Sequence, residues 1–150
     1  MFEVQGTMVV LKETVMKVTG GCHCGHITYE AEVDPATIRV CHCTDCQKLT
    51  GTAFRVNIST QPETFKLTSG MPKNYVRTAE SGNKCAHAFC PECGTPIYVT
   101  PSVPNPLGYR LALGAIDQRA QFGPPSQQIW RCSLLPWSID LRAVPKSERQ

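Results

Sequence analysis

The stretch Ile27-Thr28-Tyr29-Glu30-Ala31-Glu32-Val33 alternates apolar and polar residues without a break. Successive side chains of an extended segment point to opposite faces, so this run predicts a strand with one apolar face. Phe54-Arg55-Val56-Asn57-Ile58 repeats the pattern. Working outward, residues 74–79, 86–89, 97–100 and 109–113 read as further strands bounded by Gly, Pro and Asn. Twelve prolines and eleven glycines punctuate the chain. An interior proline costs a helix about 3 kcal/mol, which excludes long helices. Short helical turns remain possible at residues 44–49 and 35–38. The pattern predicts a mostly-β domain with its functional residues on loops.

The chain has 150 residues, enough for one core and too few for two. We divide it into an N-terminal extension (1–18), a folded domain (19–144) and a polar tail (145–150). Residues 1–15 read as an added strand, an interaction arm or an over-called start, and Phe2, Val4, Val9, Val10 and Leu11 suit an edge strand. The formal charge of +3 is small and dispersed, which argues against a nucleic-acid partner. No apolar run has the length to span a bilayer. Residues 1–18 carry Glu3, Lys12 and Glu13 and lack the apolar core of a signal peptide. The expected location is therefore the cytoplasm, where thiols stay reduced. The nine cysteines then need an explanation other than disulfides.

Seven of them fall into clusters: Cys22-His23-Cys24, Cys41-His42-Cys43-Thr44-Asp45-Cys46 and Cys90-Pro91-Glu92-Cys93-Gly94. A C-x-x-C knuckle folds two thiolates to one side of a tight turn, where Gly94 relieves the backbone. In an extended C-x-C both side chains share a face and reach one ion. Zinc takes four ligands in a tetrahedron, with sulfur at about 2.3 Å. The partition that strands no pair joins Cys22 and Cys24 with Cys90 and Cys93 in a closed four-thiolate site. It leaves Cys41, Cys43 and Cys46 as a three-thiolate set with an open position. Two zinc ions per chain are expected, with an iron–sulfur cluster as the metal rival. Cys85 and Cys132 stand alone in or beside apolar segments and read as core filler. His23, His26, His42 and His87 flank the clusters. His42 should point away from its cysteine neighbours, toward a supporting or surface role.

A closed site is structural, whereas an open one can take a substrate. Three thiolates make zinc a weak activator of water and leave it suited to a fourth sulfur. An incoming thiol loses its proton there and becomes a nucleophile at neutral pH. The reaction class that follows is attack of a substrate thiol on a small electrophile, or cleavage of a carbon–sulfur bond.

Gly20-Gly21-Cys22-His23-Cys24-Gly25, Cys41 through Lys48 with Gly51, and Phe89-Cys90-Pro91-Glu92-Cys93-Gly94-Thr95 resemble the glutathione-dependent formaldehyde-activating enzyme family. Gly114-Ala115-Ile116-Asp117 and the segment from Ile129-Trp130 to Pro136-Trp137 fit its closing motifs. The resemblance runs in order from about Gly20 to Leu141. It implies a β-tent of small antiparallel sheets with two zinc knuckle sites. Cys22, Cys24, Cys90 and Cys93 would hold the structural ion. Cys41, Cys43 and Cys46 would hold the catalytic one. The implied activity is that of a carbon–sulfur lyase joining glutathione to formaldehyde as S-(hydroxymethyl)glutathione, with a small-molecule thiol as partner. The family also includes centromere protein V, so a non-catalytic zinc module that binds protein or nucleic acid is the alternative. No glutathione-binding residue follows from the resemblance. Lys48, Arg55 and Arg77 are candidates for its carboxylates, set against an ordinary role as surface charges.

Overall fold

The computed structural model describes residues 14–149. The edge strand expected within residues 2–11 lies outside them. Ten strands and one helix follow in chain order. They are β1 (Met16–Gly21), β2 (Thr28–Val33), β3 (Arg39–Cys41), α1 (Thr44–Thr50), β4 (Arg55–Ser59) and β5 (Lys66–Ser69). After these come β6 (Lys73–Thr78), β7 (Lys84–Phe89), β8 (Pro96–Pro101), β9 (Arg110–Ala112) and β10 (Gln127–Ile129). The rest is loops and 3-10 turns, one of them at Pro35–Thr37 as the sequence suggests. The mostly-β expectation holds. No helix among the described residues is long and apolar enough to cross a membrane.

The strands form two sheets. One has three strands in the order β1-β2-β5, and the other has seven, β10-β3-β4-β9-β8-β7-β6. One pairing of the second sheet departs from the antiparallel expectation. After β9 the chain passes through 3-10 turns and Gly123-Pro124-Pro125 before β10 joins the far edge parallel to β3. A parallel neighbour requires such a crossover, and the two prolines keep that connection from continuing any regular element. Strand β1 begins at Met16, so sheet pairing starts inside the stretch read as an extension.

The core lies between the sheets. Alternation in β2 buries Tyr29, Ala31 and Val33 and leaves Glu30 in solvent. From the large sheet, Ile58 and Leu111 enter the same cluster, with Val56 and Tyr98 packed against it. Tyr29 is 1% exposed, and its hydroxyl donates to the Ala115 carbonyl at 3.1 Å. Gly20 lies beneath this ring. A Cβ there would collide with both the Tyr29 phenol and the Ala115 carbonyl, which explains glycine at that point of β1.

The other face of the large sheet has a different chemistry. Cys41 pairs with Arg55, and Arg39 with Asn57. Val99 pairs with both Arg110 and His87, and Cys85 with Arg77. With a side-chain period of two, these residues share the face turned away from the core.

Candidate metal centres and the cavity beside them

The first thiol group is assembled from two distant places. Cys22 and Cys24 follow β1, and Cys90 and Cys93 sit in the turn between β7 and β8. Gly94 closes that turn at φ +76°, a conformation costly for other residues, with its N–H donating to the Cys90 carbonyl at 2.9 Å. All four sulfurs lie within 4.8 Å of one another. Cys22 and Cys24 approach to 3.5 Å, and Cys24 and Cys90 to 3.8 Å. Four sulfurs at about 2.3 Å from one ion have tetrahedral edges of about 3.8 Å, so this spacing suits zinc. The Ile27 N–H donates to Cys22 Sγ at 3.2 Å, a bond that favours the thiolate. Cys93 has its thiol held down at about 5 by the Thr95 hydroxyl, 3.1 Å away, and by backbone hydrogen bonds.

The second group gathers Cys41 at the end of β3, Cys43 at the N-cap of α1 and Cys46 in its first turn. Their sulfurs also lie within 4.8 Å of one another, with no fourth His, Cys, Asp or Glu among the described residues completing the set. The Cys43 sulfur accepts the Cys46 N–H at 3.2 Å, so the helix start is capped by a thiol. Cys46 is held down at about 5 by the hydrogen bond with Cys41, assisted by Cys43 and Arg55. Cys41 is pushed up, chiefly by the hydrogen bond with Cys46 and by burial. The structure thus makes the two groupings that ligand counting predicts. Each can hold a metal ion.

Two corrections concern the isolated cysteines. Cys132 is exposed in a 3-10 turn at Arg131–Ser133, not core filler. Cys85 is half-buried and lines a cavity of about 300 Å³ that opens on Cys41, Cys43 and Cys46. It is neither core nor a member of either thiol group. All nine cysteines are free. His42 is buried and turned from the cysteines as expected, its Nε2–H donating to Gln128 Oε1 at 2.9 Å.

The cavity is where sequence reasoning missed most. Arg55 is 6% exposed and lines it, so it is no surface charge. Arg77 lines it too, pairing through Nη1 with Asp45 at 2.7 Å. Lys48 stays in solvent on α1 and is absent from its walls. Arg39, Asn57, His87 and Arg110 complete the polar lining. Arg55 Nε, Asn57 Oδ1 and both His87 ring nitrogens are buried without a partner. Burial, followed by the charges of Arg55, Arg77 and Arg110, lowers the His87 pKa to about 4. The imidazole is neutral at neutral pH. Trp130 stands at the edge of this cavity in a left-handed conformation, φ 57° and ψ 39°. That geometry is rare for a bulky side chain, and such strain gathers at functional sites. Gln47 pins the segment by donating to the carbonyls of His42 and Ser133 at 2.8 and 3.0 Å.

Residues 17–133 match the family described as glutathione-dependent formaldehyde-activating enzyme. The chain belongs to this family. A crystal structure of a Rhodobacter sphaeroides protein is similar in fold, with a TM-score of 0.56 at 20% identity, covering 73% of this chain and 98% of that one. The glutathione-dependent formaldehyde-activating match contains both thiol groups and the whole cavity lining, from Arg39 to Trp130. The Met16–Gly21 strand falls almost wholly within it.

Proposed function

We propose that this member of the formaldehyde-activating family is a zinc-dependent carbon–sulfur lyase. On this reading it adds the thiolate of glutathione to formaldehyde or a related small electrophile. The observation that carries the reading is the open three-thiolate group at the wall of an arginine-lined cavity. Cys22, Cys24, Cys90 and Cys93 would hold a structural zinc. Cys41, Cys43 and Cys46 would hold the catalytic one, whose chemistry is to lower the pKa of an incoming thiol. The net reaction joins sulfur to the carbonyl carbon, and the thiol proton ends on the new hydroxyl.

The chain's own residues supply the rest. The cationic side chains draw in an anionic thiol and favour its ionised form. His87, neutral and without a protein partner on either nitrogen, offers an N–H to oxygen as negative charge develops on it. The cavity walls exclude bulk water from the forming bond.

Native mass spectrometry of the purified chain tests this reading. Two zinc ions, and a glutathione adduct lost in Cys43→Ser, are the expected result. Two zinc ions with no thiol adduct would instead indicate a binding module with two structural metals.

A further inference from the structure

Cys85 belongs to neither thiol group and stands where two spaces meet. It lines the cavity of Cys41, Cys43 and Cys46, and it also lines a second recess bordered by Lys84, Ser102 and Gly108. Asn83, Val99 and Arg110 border both spaces with it. None of Cys41, Cys43 and Cys46 lines the recess, which therefore gives Cys85 an approach of its own. Across the β6–β7 pairing its partner is Arg77, and directly opposed side chains of antiparallel strands stand about 5 Å apart at Cβ. Asp45 compensates Arg77 from outside both spaces. Arg110 and Lys84 form no ion pair among the described residues, and no Asp or Glu lines either space.

Two buried groups beside this thiol show what the space accepts. Arg55 is 6% exposed with Nε unpartnered, and His87 is 9% exposed with neither ring nitrogen partnered. Both line the cavity with Cys85, and His87 follows it by two residues on the same face of β7. A buried donor without an acceptor is costly, and an entering anion relieves that cost. Cations lining a cleft also speed the arrival of anions, by about 10–10³. A cationic reagent such as a free metal ion is repelled by the same field. The chemistry that suits a thiol so placed is an anion whose reactive atom is sulfur, since thiols attack disulfides.

We propose that Cys85 is a modification site for small anionic disulfides. Its sulfur bonds to one sulfur of the reagent, R–S–S–R, whose own S–S bond breaks. Cys85 is oxidised and the departing half is reduced, and the Cys85 proton passes to the departing thiolate or to water. The product is a mixed disulfide on the wall that the cavity and the recess share. The step uses no metal at either thiol group, so it stands or falls apart from the proposed lyase activity.

The test compares two disulfides on the zinc-loaded chain, the dianion dithiobis(nitrobenzoate) and uncharged dithiodipyridine. Absorbance follows the released thiol, and peptide mapping assigns the labelled cysteine. Cys132, exposed in its 3-10 turn, is the internal reference for a solvated thiol. The ratio of Cys85 to Cys132 labelling rates should be about tenfold or more higher with the dianion than with the uncharged reagent. In about 1 M salt, where charges are screened within about 3 Å, the two reagents should give similar ratios. Lys84→Gln, at an exposed position, and Arg110→Gln, at a half-buried one, should each lower the dianion ratio about threefold or more. Cys85→Ser should lose the fast phase and keep that of Cys132. No labelling of Cys85, or the same ratio with both reagents, would overturn the proposal. So would a dianion preference that survives both salt and the two charge substitutions, or a fast phase that persists in Cys85→Ser.

Discussion

Cys41 stands directly opposite Arg55 in the antiparallel pairing of β3 with β4, and Arg55 lines the same cavity as Cys41, Cys43 and Cys46 and helps hold the Cys46 thiol down. A buried guanidinium beside three thiols favours their ionised form, which is the form that binds metal. Arg55→Met should therefore weaken zinc at Cys41, Cys43 and Cys46 by about tenfold while the four-thiolate site keeps its ion. Chelator competition followed by metal analysis reads the two sites separately. Equal loss from both would show that Arg55 acts on folding rather than on the thiols.

The two thiol groups should differ in what their loss does. Cys90 is fully buried and ties the β7–β8 turn to the end of β1. Structural zinc is worth about 10–16 kcal/mol of apparent binding free energy, against a typical folding stability of about 5–15 kcal/mol. Cys90→Ser should lose its secondary structure by circular dichroism. Cys43→Ser should remain folded with one zinc ion. A folded Cys90→Ser variant with two ions would refute the partition.

His87 should stay neutral well below the pH at which an ordinary histidine gains its proton. Its pKa is lowered from 6.5 to about 4 by burial, with Arg55, Arg77 and Arg110 adding to the effect. Between these two values the unfolded chain binds the proton and the folded chain does not. The His87 contribution to stability is therefore complete above about pH 6.5 and is lost as the pH falls toward 4. The imidazole resonances of His87 should titrate near 4, and Arg110→Gln should move that midpoint upward. A midpoint near 6.5 in the folded protein would contradict the buried, cation-surrounded position.

Gly20 and Tyr29 form a tight pair whose disruption is measurable. Gly20→Ala places a methyl group where the phenol and the Ala115 carbonyl already meet, and should cost about 1–3 kcal/mol. Tyr29→Phe removes the donor to that carbonyl and should cost about 1 kcal/mol. In urea unfolding both should lower the midpoint without changing the slope. A Gly20→Ala variant as stable as the parent would mean that the ring yields freely.

The thiol groups were readable from sequence because ligand spacing is a local property: a C-x-C or C-x-x-C fixes its geometry within a few residues. Strands with clear alternation, such as those at Tyr29 and Val56, were readable for the same reason. Shorter strands were not. Arg39–Cys41 and Gln127–Ile129 have three residues each, too few for a period, and exist because they pair with one another across the chain. The arginines failed differently. In Phe54-Arg55-Val56-Asn57-Ile58 the alternation marked Arg55 and Asn57 as the polar face, and a polar strand face is ordinarily solvated. They are buried within the sheet between β3 and β9, and the distance of β9 along the chain hides this from the sequence. Cys132 misled because its apolar neighbours are themselves half-exposed in a surface turn.

Strand β4 has a further consequence for how such a protein tolerates change over generations. Alternate residues of the same short segment furnish the interior and the chemistry: Val56 and Ile58 on one side, Arg55 and Asn57 on the other. A single codon inserted before Arg55 and accommodated within the strand would exchange the two roles, sending cations inward and aliphatics into the cavity. Folding and function would fail in the same event. Lineages can therefore vary the loops around this strand in length, but β4 itself accepts substitution and not insertion.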